Sequence, residues 1–161
     1  MGIDRNFGIA FAKAQSSVGM ALPGENIKNT KGLRVLISVN ERDREDSLDI
    51  ALGLLDVGFN IEATEGTYKY FVEHNVPCGF VHKVDEGRPN CYDLIISQHY
   101  SLIINTPLKP ESRYQELLLR RAAVENNVPY VTTISAARAA LEGIKSLKKS
   151  PSYSVTSLQE Y

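Results

Sequence analysis

Two threonines, a glycine and a lysine carry the first chemical signal in this chain. Thr64, Gly66 and Thr67 stand where a short apolar run, "FNIEA", gives way to a helical pattern, "TEGTYKYFVEHN". Thr64 falls at the position of an N-cap and Thr67 at the third residue of the helix. A helix N-terminus offers unpaired backbone N–H groups and the positive end of its dipole. Gly66, lacking a side chain, lets an anion come close to that backbone. The hydroxyls add donors, and Lys83, at the end of the next apolar run, adds a full positive charge. Such a set holds a phosphate or a carboxylate. The plainer alternative is a threonine cap followed by a turn glycine, which Thr-x-Gly-Thr by itself does not exclude.

The elements that must position these groups follow from the hydrophobic pattern. "LRVLISV" is almost continuously apolar, as expected of a parallel strand covered on both faces. "DREDSLDIALGLLDVG" follows as a helix, with Asp43 as its N-cap, Leu48, Leu52 and Leu55 on one face, and Gly58 as its stop. "FNIEA" is the second strand and "CGFVHKV" the third. A turn-rich "DEGRPN" and a short segment "CYDLIISQH" lead to a fourth strand, "YSLIINT". "ESRYQELLLRRAAVENN" is an amphipathic helix, "VPYVTT" a fifth strand and "SAARAALEGIKSL" a closing helix. Strands alternating with helices predict a doubly wound, three-layer α/β domain around a five-stranded, mostly parallel sheet of Rossmann-like type.

In such a sheet, ligands sit beyond the carboxyl ends of the strands. Those ends read Ser38 and Asn40, Thr64 to Thr67, His82 and Lys83, Asn105 and Thr106, and Thr132 and Thr133. All five finish in hydroxyls, amides or a cation, which predicts a small-molecule pocket. Catalytic groups are not evident. Asp85 and Glu86 read as solvated loop charges. His74 sits at a helix end, His99 precedes a strand, and His82 ends a strand with no acid partner visible in the sequence; no Ser-His-Asp or Cys-His grouping can be assembled. Arg120 and Arg121 sit late in a helix, where the dipole favours cations. The site reads as built to bind rather than to react.

Bulk properties narrow the partners. With 161 residues the chain fits one domain that needs no staples. A formal net charge of −1 gives no electrostatic case for nucleic acid or an anionic membrane. Cys78 and Cys91 form no CxxC motif and have no matching histidines, which predicts reduced thiols, no metal and a cytoplasmic location. No run approaches the roughly 20 apolar residues of a membrane span. "MGIDRNFGIAFAKAQSSVGMALPG" holds one short helix with Phe7, Phe11 and Ala14 on one side, turning at Pro23-Gly24. Nothing in that head requires it to belong to the five-stranded core. "ENIKNTKG" reads as a linker, and the Ser-rich tail "KKSPSYSVTSLQEY" as weakly ordered or docked on a surface.

The strings "EATEGTYKYF", "HKVDEGRPN", "LIINTP" and "LLLRRAAVENNVPYVTT" resemble the methylglyoxal-synthase-like fold family. Within it they are most similar to the C-terminal regulatory domains of carbamoyl-phosphate synthase large chains. The head is similar to the stretch that closes the second synthetase unit in those chains, and "SVTSLQEY" to their terminus. The resemblance implies a fragment of a larger polypeptide: residues 1–32 as the tail of the preceding synthetase unit and a linker, 33–147 as the allosteric domain, and 148–161 as a C-terminal tail. It implies an effector-binding, non-catalytic domain with no cofactor of its own, within a parent ligase that uses ATP with magnesium or manganese. The implied partners are a nucleotide monophosphate (uridine or inosine monophosphate), the rest of the large chain and its glutaminase small chain. Self-association of the fragment is expected through apolar head residues that lose a neighbour.

Carried over by residue, the resemblance places the effector phosphate at Thr64, Gly66, Thr67, Lys83 and Arg44, the last standing where many members have lysine. Ser38, Asn105 and Thr106 fall around base and ribose. Pro107 replaces a threonine of the enterobacterial-type pocket. Tyr130 and Thr132 match residues that help bind ornithine at the border with the synthetase unit. A free-standing methylglyoxal synthase acting on dihydroxyacetone phosphate is the alternative. Its Gly-Gly-Asp-type loop is missing from "VDEGRPNCYD".

Overall fold

The computed structural model of the chain describes residues 1–24, 33–106, 113–149 and 157–160. The "ENIKNTKG" linker, Pro107 and most of the Ser-rich tail lie outside them. Five strands form one sheet: β1 (Arg34–Val39), β2 (Asn60–Thr64), β3 (Gly79–Val81), β4 (Leu102–Thr106) and β5 (Tyr130–Val131). Their order is β3-β2-β1-β4-β5, and every neighbouring pair is parallel. Among the described residues six α-helices accompany them: α1 (Phe7–Ser17), α2 (Arg44–Val57), α3 (Glu65–Glu73), α4 (Cys91–Ile96), α5 (Arg113–Glu125) and α6 (Ile134–Lys149). The expected doubly wound α/β class is the observed one.

The layering follows from handedness. The chain moves from β1 to β2 to β3 in one direction, then returns to place β4 on the other side of β1. Right-handed crossovers therefore put the helices of the two halves on opposite faces. One face buries Val35, Ile37, Ile61, Ala63 and Ile104 under α2, α3 and α6. The other buries Leu36, Val81 and Ile103 under α4 and α5. The reversal opens a crevice between the carboxyl ends of β1 and β4, where open α/β sheets take ligands.

Three local expectations change in the structure. In α2 the buried face is Ser47, Ile50, Ala51, Leu54 and Val57, whereas Leu52 is half exposed and Leu48 and Leu55 are only partly covered. Leucine spacing alone points to a different face, because the small Ser47 and Ala51 take buried positions that carry little apolar signal. Asp43 stands at the N-cap of α2 but makes no side-chain cap bond. Asn40 caps the preceding 3-10 turn instead, its Oδ1 accepting from the N–H groups of Arg42 at 2.9 Å and Asp43 at 3.3 Å. Gly58 ends α2 in the left-handed region at φ 103°, as its position predicted. The untyped segment after "DEGRPN" is α4, opened by a capping box between Asn90 and Asp93.

The head is part of the packed unit. Ala12 and Leu22 are fully buried in the same core as the sheet. α1 lies against α6 so closely that a Cβ on Gly8 would meet the Glu142 carbonyl oxygen at 2.6 Å. A Cβ on Gly143 would meet Leu22 Cδ1 at 2.6 Å and the Gly8 carbonyl at 3.2 Å. Phe7 is exposed and Phe11 partly covered, so the helix presents its small residues inward and its largest ring outward.

Candidate functional site

A cavity of about 360 Å³ occupies the crevice between β1 and β4. Its walls come from the ends of four strands and from α4 and α5. Ser38, Thr64, Lys83, Asn105, Thr106 and Arg44 all line it. Thus six of the residues singled out in the sequence meet at one place. Gly66 lies directly behind Arg44. Thr67, Tyr130 and Thr132 stand outside the lining.

Arg44 reaches the cavity through the way β1 ends. Asn40 Nδ2 donates to the Thr106 carbonyl at 3.2 Å and to Thr106 Oγ1 at 3.1 Å, and the Asn40 N–H donates to that same hydroxyl at 3.1 Å. Another contact, Asn40 Nδ2 to Asp43 Oδ2 at 2.6 Å, closes the turn. The end of β1 is thereby tied to the end of β4, and the helix begins at Arg44 with its side chain directed back over α3. A Cβ built on Gly66 would stand 2.8 Å from Arg44 Nη2. The glycine gives the guanidinium room at the N-terminus of α3. Arg44 Nε is fully buried and has no hydrogen-bond partner among the described residues. No carboxylate among them lies within ion-pair distance of Arg44. A buried, unpaired donor on a cation carries a desolvation cost that an anionic ligand would relieve.

The two threonines divide their work. Thr64 is buried at the N-cap of α3, but its hydroxyl makes no cap bond and shares a 2.9 Å hydrogen bond with Ser38 Oγ. Its position on the cavity wall leaves the α3 backbone N–H groups uncapped by the side chain. Thr67 is turned the other way. Its Oγ1 accepts from the Val39 N–H at 3.1 Å and donates to the Val39 carbonyl at 3.3 Å. That hydroxyl fastens β1 to α3, and the proton expected for an anion is committed to Val39. Thr67→Ala is therefore expected to destabilise the fold by about 1–3 kcal/mol, the cost of a buried N–H left without a partner. Urea unfolding measures it, and a variant as stable as the wild type would show that the Val39 N–H had found another acceptor.

The opposite wall is cationic at one end and apolar at the other. Lys83 is about half exposed; its N–H donates to Glu86 Oε2 at 3.2 Å and its Nζ lies 4.0 Å from Glu86 Oε1. Asp85 accepts from Gln115 Nε2, which bridges the loop after β3 to α5 at the cavity rim. Both loop acids are exposed, as expected of solvated loop charges, and each also has a partner. Leu36, Val84, Cys91 and Leu119 supply the apolar part. Burial pushes the Cys91 thiol up to about 11, so it faces the cavity as a neutral, unreactive group. The lining from α4 and α5 was not anticipated. Its residues are ordinary helix residues, and only the topology brings them over the strand ends.

Asn105 connects the cavity to β5. Its Nδ2 donates to Tyr130 Oη at 2.6 Å, and the Arg120 guanidinium lies 6.0 Å from the centre of the Tyr130 ring. Thr132 follows β5 at the sheet edge, half-buried. His99 Nε2 and Tyr100 Oη both reach Glu62, at 2.9 and 2.7 Å, on the sheet face under α4 and α5 and away from the strand ends. Among the described residues no group of histidine, cysteine, aspartate or glutamate is arranged to hold a metal. None of their helices is long and apolar enough to cross a membrane.

Comparison with known proteins agrees with this geometry. The MGS-like domain family model matches residues 46–132, more than half of the chain. The carbamoyl phosphate synthase large chain, C-terminal section, of Aquifex aeolicus is 46% identical over 99% of this chain and 29% of its own length. The large chain of Acidobacterium capsulatum is 46% identical over 89% of this chain and 12% of its own. The C-terminal section from Methanopyrus kandleri is 45% identical over 92% of this chain and 26% of its own. The chain therefore spans less than a third of the length of these relatives. Among solved structures, the crystal structure of ForH shares the fold, with a TM-score of 0.57, 16% identity, and coverage of 75% of this chain and 84% of that one. With its all-parallel five-stranded sheet, its strand-end cavity and these relatives, the chain belongs to the MGS-like domain family.

Proposed function

We propose that the chain is the effector-binding regulatory domain of a carbamoyl phosphate synthase large chain, and that the cavity between β1 and β4 takes a nucleotide monophosphate. The observation that carries this reading is the buried, unpartnered Nε of Arg44 beside the N-terminus of α3. The phosphate sits between that guanidinium, the first N–H groups of α3 and Lys83. Arginine's planar fork matches two phosphate oxygens, where the lysine of many members would offer a point charge. The apolar wall of Leu36, Val84 and Leu119 receives the base. Ser38 and Thr106 face the sugar, and Asn105 faces the base edge. Tyr130, on the edge strand, and Thr132, just beyond it, contribute to an ornithine site completed by the preceding synthetase unit, and the glutaminase small chain belongs to the same assembly. Regulation follows only when the effector favours one global state of the assembly over another.

Calorimetric titration of the chain with uridine monophosphate, then inosine monophosphate, then ornithine, at fixed salt, tests this. Saturable nucleotide binding is expected, weakened about tenfold by Lys83→Ala, because that lysine is half exposed and screened. Absence of heat with both nucleotides overturns the effector reading. Conversion of dihydroxyacetone phosphate to methylglyoxal by the same sample would overturn it in favour of a lyase.

A further inference from the structure

We propose that Tyr130, which stands outside the cavity, sets the direction of the Asn105 side-chain amide on the cavity wall and so selects ligand groups that accept a hydrogen bond. The inference rests on the effector-binding reading and deepens it by naming what the base end of the site prefers.

Asn105 is buried at the end of β4, and its side chain has one described partner, the Tyr130 hydroxyl at 2.6 Å. With Nδ2 donating, Asn105 Oδ1 has no donor among the described residues, and the Tyr130 proton has no described acceptor. The separation is also short for N–H···O, which usually begins near about 2.7 Å, and ordinary for O–H···O. Turning the amide by 180° keeps its shape, lets Tyr130 donate to Oδ1, and leaves the two Nδ2 hydrogens for a ligand. One hydrogen bond therefore has two possible polarities, and the short one is the hydroxyl donating.

The phenol is placed to act as the donor. Burial raises the pKa of the phenol above its ordinary value, so it keeps its proton at neutral pH. The ring is held by the pairing of Tyr130 with Ile103 across β4 and β5, with the Arg120 guanidinium 6.0 Å from its centre. Asn105 also stands where the base end of a nucleotide would lie. It is two strands away from Thr64, about 10 Å at the usual strand spacing, which matches the reach from a phosphate to its base. An amide fixed with Nδ2 inward meets a carbonyl oxygen well and an amino group badly. A site built to hydrogen-bond one pattern rejects the other because a buried donor is left unpaired.

Uridine and cytidine monophosphates differ at that edge by a carbonyl against an amino group and are the probes. The wild-type chain is expected to favour uridine monophosphate by roughly fivefold or more, the worth of one such bond. Tyr130→Phe releases the amide, and the ratio of the two affinities is expected to fall close to one. Asn105→Asp keeps an acceptor for Tyr130 but offers the ligand only oxygen, so the preference is expected to reverse whatever the added charge does to both affinities together. Equal weakening of both nucleotides by Tyr130→Phe, or an unmoved ratio, would show a merely structural tyrosine and overturn the inference. A wild-type chain that binds neither nucleotide overturns this inference, and if inosine monophosphate also fails to bind, the effector reading with it. A wild-type chain that binds both equally overturns the inference alone.

Discussion

Arg44→Ala is expected to weaken binding of a phosphate monoester on the order of a hundredfold, with the fold intact. The guanidinium lies against the first turn of α3 at Gly66, and its Nε is a buried donor with nothing described to satisfy it. Two charge-assisted hydrogen bonds at about 1.5–3 kcal/mol each more than cover that loss, even after compensation by water. Stability should hold or rise, because truncation removes a buried donor that no described residue satisfies. Gly66→Ala is the companion test. Its new methyl would fall 2.8 Å from Arg44 Nη2, the far end of a flexible side chain, so the guanidinium swings away and the backbone stays. Alanine inside α3 adds about 0.5–1 kcal/mol of helix stability. Affinity and stability should therefore move in opposite directions, read by titration and by urea unfolding on the same samples. Wild-type affinity in both variants would remove Arg44 from the site.

Leu22→Ala carries the largest expected effect on stability. Leu22 is 1% exposed, shares the core of the sheet, and covers Gly143 of α6. Leucine-to-alanine changes in such places cost about 2–5 kcal/mol, the transfer term plus the cavity left behind. In a chain of this size that lowers the melting temperature by roughly 10 °C. A head that were merely the trailing end of another unit would leave the melt where it was, so an unchanged transition would separate residues 1–24 from the domain.

The particular successes and misses in the sequence have physical causes. Parallel strands covered on both faces must be apolar along their length, so "LRVLISV" and "LIINT" announce themselves. Strand ends can be read as soon as strands can, which is why Ser38, Thr64, Lys83, Asn105 and Thr106 were found together. The direction in which a side chain points is another matter. Thr67 has the residue type of an anion donor, yet its hydroxyl is spent on the Val39 backbone. The contact of Arg44 with Gly66 joins two elements separated by a whole strand, and no local spacing encodes it. α4 has only six residues, too few for a period to emerge, and only the Asn90–Asp93 pair marks its start. The packing of the head is not legible in the sequence because Gly8 and Ala12 look unremarkable to a hydrophobicity scan. Close helix contact needs small residues, and smallness carries little apolar signal.

The clasp of α1 on α6 also bears on how the protein is made. α1 leaves the ribosome well before α6, and the helix that receives Gly8 and Ala12 is synthesised only after all five strands. At about 5–20 residues per second, α1 waits on the order of ten seconds for its partner. The second edge strand, β5, is made only at the close of that interval, and the sheet then still lacks one of its covering helices. Release of α6 is then the step that closes the unit, joining segments more than a hundred residues apart in sequence in a contact of high order, the kind that folds late.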